Sequence, residues 1–370
     1  MAEKLVALTV AHFTNSRVSY RADTTKRRAS ERMYKILIVG PSWVGDTMLM
    51  QPMLARLKQR HPESQINVLA PPWTDKLLLS MPEITKVIIN PFPHGALQLG
   101  DRYRLGKQLR KDQYDQAIVL ANSLKSALVP YFANIPLRTG FVGEMRYGLL
   151  NNARTLDKRK LPFMVERFAQ LAESSHQDIP RPLPSPKLEI SRTDQDTALN
   201  KLGLTLNKPI AVFCPGAEYG SAKRWPVAYF AEIAQRLQKK GFEVWLLGSN
   251  KDKEVAEKIV SLGNQSSRNL CGSTDLGDAI SLLSCADLVI SNDSGLMHLA
   301  AALDRPMLAL FGSSSPEFTP PLSEKSEVLK LDIKCSPCFK RECPLEHFNC
   351  MMKLTPEMVW NKIKIMKFLT

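Results

Sequence analysis

VISNDSGLMHLAAALDRPMLALFGSS, Val289 to Ser314, is the stretch whose reading decides the fold. An apolar run ends in a polar knot, Asn292-Asp293-Ser294-Gly295. Leu296 then opens a stretch with helical spacing, and PMLALFG is a second apolar run. Uninterrupted apolar runs separated by a helix belong to parallel strands covered on both faces, because a strand with one wet face would alternate polar and apolar residues.

The same alternation extends in both directions. Upstream lie the strands YKILIVG, QINVLAP, KVIIN and DQAIVLAN. Between them run helical spacing from Thr47 to Arg60, the short TDKLLLSMP, and part of a helix over Gly106 to Lys111. The proline-rich DIPRPLPSPKLEI, Asp178 to Ile190, reads as an extended linker. The alternation then restarts with PIAVFCPG, a helix from Val227 to Lys240, FEVWLLGS, a helix from Asp252, RNLCG and a helix from Leu276 to Cys285. Pro356 to Phe368 forms a last amphipathic helix. The expectation is an α/β protein with two doubly wound parallel-sheet domains, over 33–180 and 181–354, and a closing helix in 355–370. Such sheets bind ligands at the carboxyl ends of their strands, in a cleft between the domains.

The chain has 370 residues, with 50 Lys and Arg against 36 Asp and Glu, a net charge of +14. That surplus favours an anionic partner: a nucleic acid, an anionic membrane surface or a phosphorylated substrate. No apolar run is long enough to span a bilayer. Residues 1–32 stand apart as a polar segment with Lys26, Arg27 and Arg28, and without the compact apolar centre of a signal peptide. They read as a disordered extension or a mis-assigned start, with a basic anchoring arm as the lesser alternative. Seven cysteines, an odd number, three of them inside apolar patterns (Cys214, Cys271, Cys285), point to a reducing compartment.

The knot is a strand-to-helix turn. The amides of Ser294 and Gly295 begin a helix, where unpaired N–H groups and the macrodipole favour a phosphate. Asp293 either caps that helix or accepts hydrogen bonds from sugar hydroxyls beside the phosphate; a nucleotide sugar satisfies both parts of the knot. His298 packs on the helix face or joins the donor side. The first loop, GPSWVGD from Gly40 to Asp46, is neither a Walker A loop nor a dinucleotide fingerprint. Its Asp46 is either an N-cap or a general base facing the cleft. PGAEYGSAKRWP, Pro215 to Pro226, holds Glu218 and Lys223. Lys223 either neutralises a diphosphate or is a solvated loop charge. Ser249 and Asn250 follow another strand and suit a ribose or base.

Two further features stand out. Cys335, Cys338, Cys343 and Cys350 form a C-x2-C-x4-C-x6-C run with His347 nearby; its spacing matches no common zinc or ferredoxin pattern, so reduced structural thiols are favoured over a metal site. Lys125, Arg138, Arg146, Arg154 and Lys158-Arg159-Lys160 gather in the first half, as a solvated face or a cradle for an anionic acceptor. No RNA-binding signature accompanies them.

MYKILIVGPSWVGDTMLMQPML, PGAEYGSAKRWPVAYFAEIAQRL, NDSGLMHLAAALDRPMLALFGSSSPEFTPPLS and CSPCFKRECPLEHFNCM together resemble glycosyltransferase family 9, from Met33 to about Lys367. The resemblance implies a GT-B fold whose last helix crosses back to the first domain. It implies inverting transfer of L-glycero-D-manno-heptose from ADP-heptose to the first heptose of a Kdo-lipid A acceptor, with no cofactor and no catalytic metal. Asp46 matches the family's general base, Lys223 the lysine that meets the donor phosphates, and Asp293, Ser294 and Gly295 the donor motif. Glu218, Ser249, Asn250 and His298 complete the donor side; relatives carry a glutamate near Asn250 to hold the ribose. Trp43, Gly45, Lys125, Arg138 and Arg146 fall to the acceptor side. The resemblance further implies a cytoplasmic enzyme of the Gram-negative envelope, peripheral on the inner membrane. A monomer is the expectation for its oligomeric state, and no nucleic-acid partner is expected. Rival readings are a family member with another acceptor, or a non-catalytic nucleotide- or RNA-binding protein.

Overall fold

The computed structural model describes residues 32–93 and 95–366, so the expected extension lies, but for its last residue, outside the described residues. The first sheet is built from β1 (Lys35–Val39), β2 (Gln65–Ala70), β3 (Lys86–Ile89), β4 (Gln116–Val119), β5 (Leu137–Phe141) and β6 (Asn152–Arg154). The second holds β7 (Ile210–Cys214), β8 (Glu243–Leu246), β9 (Arg268–Asn269), β10 (Leu288–Asn292), β11 (Met307–Phe311) and β12 (Ser326–Lys330). Their spatial orders are β3-β2-β1-β4-β5-β6 and β9-β8-β7-β10-β11-β12. These are one topology used twice, the doubly wound order, with every pairing parallel. β7, β10 and β11 are buried at every residue, which is why their sequences run apolar without alternation.

Helices α1 (Val44–Leu49), α2 (Gln51–Arg60), α3 (Asp75–Leu79), α4 (Leu99–Leu109), α5 (Leu128–Phe132) and α6 (Met164–Gln170) belong to the first half. The spacing from Thr47 to Arg60 predicts one helix; the structure has two, broken at Met50. Pro52 explains the break: it has no N–H to donate to Met48, and its ring would meet that carbonyl. No helix or strand occupies the stretch between Gln170 and Arg192. Within it, Gln51 exchanges hydrogen bonds with the Lys187 backbone, and the Leu188 amide donates to Ala302.

The second half adds α7 (Arg192–Leu202), α8 (Val227–Lys239), α9 (Lys253–Leu262), α10 (Leu276–Ser284), α11 (Gly295–Ala302), α12 (Asn349–Met352) and α13 (Pro356–Ile365). α13 corrects an expectation. Its described residues pack on the second domain, where the resemblance implied a return to the first. Val359 and Ile363 are buried among Phe213, Phe230 and Leu237 of the second. Glu357 pairs with Arg236 of α8 at 2.7 Å, and Lys362 with Glu327 of β12 at 2.9 Å. The apolar stripe of α13 matches the groove beside α8, and its two charged flanks meet partners there.

The two halves touch directly. One continuous apolar core holds Met48 and Leu49 of α1 together with Met297 and Ala300 of α11. A Cβ added at Gly45 would lie 2.9 Å from His298 Cδ2, and one at Gly295 would lie 3.0 Å from Val44 Cβ. These glycines allow α1 and α11 to meet end to end. What approaches Gly295 most closely is the other helix, where the sequence suggested a ligand.

Candidate functional site

In each sheet the order reverses between the first and fourth strands, and the loops at that switch point bound a cleft of about 1790 Å³. The loop after β1 brings Asp46; the loop after β7 brings Lys223; the loop after β10 brings Asp293, Ser294 and Gly295. The two sheets thus turn equivalent edges toward each other.

Neither carboxylate is a helix cap. The N-cap of α1 is Trp43, whose carbonyl accepts from Thr47 Oγ1 at 2.9 Å, and Asp46 lies inside the first turn. The N-cap of α11 is Ser294, and Asp293 precedes it. Asp293 instead accepts a 2.5 Å hydrogen bond from Lys223 Nζ, a pair almost closed to solvent. Burial pushes Asp46 up to about 6; Lys223 pulls it down and Asp293 pushes it up, both by through-space charge. The three groups therefore form one electrostatic unit spanning the cleft. Burial also lowers His298 to about 4, so its imidazole is neutral at working pH.

Asn292 holds this unit in place. Fully buried, it accepts from the Trp225 amide at 3.1 Å and donates to the Pro215 carbonyl at 2.8 Å. Both ends of the Lys223 loop are thus tied to the strand that carries Asp293, and Trp225 anchors its indole N–H on Leu354 O at 2.7 Å. Asn292 was legible only as a polar letter in the knot; no pattern announced the two backbone groups it satisfies.

Of the expected donor residues, Glu218, Ser249 and His298 also line the cleft, Glu218 paired with Lys251. Asn250 does not line it: its side chain rests against Gly272. The carboxylate that does line the cleft at this loop is Asp252, which accepts from Ser249 N at 3.0 Å and Ser249 Oγ at 2.8 Å. The signal for it was the spacing Ser249-x-x-Asp252, a capping box.

On the other wall, Trp43, Gly45 and Lys125 line the cleft, whereas Arg138 and Arg146 do not. Arg138 donates to the Leu149 and Ile135 carbonyls, both at 2.6 Å. Arg146 is buried and donates to Phe141 O, Ala121 O, Ser126 Oγ and Asn122 Oδ1, with burial lowering it to about 10. It braces the loop after β4 and stays clear of the open cleft. A missed cation, Arg102, does line it; its guanidinium donates to Leu97 O at 2.6 Å and covers Phe92 at 4.0 Å. Its sequence context, a helix interior, carried no hint of this.

All seven cysteines are free thiols. Among the described residues no three His, Cys, Asp or Glu groups converge as metal ligands would. Burial raises Cys350, and Cys338, Cys335 and Cys343 stand close enough to raise it further. No described helix is long and apolar enough to cross a membrane.

Residues 102–349 match glycosyltransferase family 9 (heptosyltransferase). The lipopolysaccharide heptosyltransferase 2 of Salmonella typhimurium is 46% identical over 338 residues, covering 89% of this chain and 97% of that protein. The Escherichia coli protein of the same name matches equally, at 46% over 338 residues and the same coverage. The solved structure of E. coli ADP-heptose lipopolysaccharide heptosyltransferase II superposes with a TM-score of 0.81 at 43% identity, covering 90% of this chain and 98% of that one.

Proposed function

This chain belongs to glycosyltransferase family 9, the heptosyltransferases, and on that footing we propose that it transfers heptose from ADP-heptose to the first heptose of a Kdo-lipid A acceptor. It is a glycosyltransferase of GT-B fold. The observation that carries the reading is the electrostatic unit Asp46, Lys223 and Asp293, assembled from both sheets across one cleft.

The proposed mechanism uses each member. Asp46, raised to about 6, takes the proton of the acceptor hydroxyl. The freed oxygen attacks the anomeric carbon on the face opposite the diphosphate, inverting the configuration. The C–O bond to ADP breaks, and charge grows on the leaving diphosphate. Lys223 stabilises that charge, together with the amides at the start of α11. In the free protein Lys223 is held by Asp293. The diphosphate competes for the ammonium, and Asp293 is released to accept sugar hydroxyls. Asp252 and Ser249 face the ribose, a role the sequence suggested for Asn250. Lys125 and Trp43 meet the acceptor. The exposed Trp43, Trp73 and Leu124 at the cleft, beside Lys125, suit a cytoplasmic enzyme working peripherally at an anionic membrane face.

The test is incubation with ADP-heptose and monoheptosylated Kdo-lipid A, followed by mass spectrometry. Addition of one heptose to the acceptor supports the reading. Absence of that product, with ADP-heptose left intact, overturns it.

A further inference from the structure

The cysteine-rich segment has no part in the mechanism above, yet it forms the outer wall of the donor pocket. Its backbone crosses directly over the loop after β7. The Ala222 amide donates to Arg341 O at 3.0 Å, and Tyr219 OH donates to Phe339 O at 2.9 Å. A Cβ at Gly220 would run into the Arg341 carbonyl, so only glycine permits the crossing. The segment is in turn fastened to the end of β11: Phe339 N donates to Ser313 O at 2.7 Å and Ser336 Oγ to Gly312 O at 2.7 Å. Phe339 and Arg341 both line the cleft, beside Tyr219 and Lys223.

The charges there are unequal. Lys223 Nζ lies 5.0 Å from the Tyr219 ring centre and Arg341 Cζ lies 5.2 Å from the same ring, so two cations share one aromatic side chain. Lys223 is matched by Asp293, and Glu218 is matched by Lys251. Among the described residues Arg341 has no ion-pair partner, while its main chain is pinned by the Ala222 amide. A guanidinium without a carboxylate, at the rim of a pocket and next to the lysine that meets a phosphate, presents the planar fork that binds phosphate oxygens in pairs.

We propose that Arg341 is a second diphosphate ligand for the donor, delivered by the cysteine-rich segment and set against Lys223 across Tyr219. This rests on the donor reading above and extends it. The diphosphate must draw Lys223 away from Asp293, whereas Arg341 has no carboxylate to leave and adds its charge directly as the diphosphate departs.

The experiment titrates the full-length wild type, Arg341→Ala and Arg341→Lys with ADP by calorimetry and with adenosine by ligand-observed NMR. Arg341→Ala is expected to weaken ADP about 10- to 100-fold, the usual worth of a hydrogen bond to a charged group. Adenosine, lacking the diphosphate, stays within about twofold by the same reasoning. Arg341→Lys recovers part of the loss, keeping the charge but not the fork. Unchanged ADP affinity in Arg341→Ala overturns the proposal. So does an equal loss for ADP and adenosine, which would mean that the loop merely props up the pocket. Wild-type protein that takes up no ADP overturns the donor reading itself, and this inference with it.

Discussion

Acidification should silence this enzyme at a pH set by Asp46. Burial is the largest cause of its raised pKa, about 6, with Asp293 adding and Lys223 subtracting. A base must be ionised to accept a proton, so kcat/KM for the donor should rise with pH and level off above that value. At pH 5 about nine-tenths of Asp46 is protonated, and kcat/KM should fall to about a tenth of its plateau; an ordinary aspartate near 3.9 would leave about nine-tenths ionised and activity almost intact. The assay is initial rate of ADP release at limiting concentrations of both substrates, from pH 4.5 to 8.5, with circular dichroism confirming the fold throughout. Lys223→Met removes the charge that favours ionisation, so the acid limb of its residual activity should move to higher pH. Asp293→Asn removes the opposing charge, so its limb should move lower. A flat profile down to pH 5 would refute the reasoning. So would an acid limb that persists unchanged in Asp46→Asn, since that limb would belong to a substrate phosphate.

Three other outcomes follow from the same geometry. Asp46→Asn should lower kcat about 10²- to 10⁴-fold, the usual worth of a general base. It should also raise Tm by about a few degrees at pH 7.5. The sign is set by a folded-state pKa raised above the unfolded one: the native carboxylate binds its proton more tightly, so stability falls as pH climbs from about 4 to about 6, and the variant's advantage grows through this window and is full above it. Lys223→Met should cost about 10²- to 10³-fold in kcat, read by the same ADP-release assay, as expected for losing one charged stabiliser of the leaving group. Gly45→Ala puts a methyl 2.9 Å from His298 Cδ2 and should separate α1 from α11, lowering both Tm by thermal melt and turnover by ADP release.

Some of the site was written in local pattern. The apolar runs ILIV, AVFC, LVIS and MLALF could only be buried parallel strands, and the polar residues directly after them had to lie at strand ends. Asp293 stands out in the sequence for that reason, and Asp46 and Lys223 because they lie in the loops that follow such runs. Edge strands were less legible: NAR of β6 and SEVLK of β12 carry polar and charged residues because only one neighbour pairs with each, so no apolar run marks them. Arg146 was misjudged for a related reason. A cation looks the same in a string whether it faces an anion or the carbonyl and side-chain acceptors of its own fold.

The amino-acid sequence by itself determined the periodicity, hence two doubly wound sheets, and the loops at their carboxyl ends, because strand burial and helix spacing are set by neighbours along the chain. Only the tertiary structure decided which loops meet. The pairing of Lys223 with Asp293, the contact of Gly45 with His298, the docking of the last helix on the second sheet and the arrival of Arg341 beside Tyr219 all join residues distant in sequence. Such contacts depend on shape and charge matching between finished elements, and no local spacing encodes them.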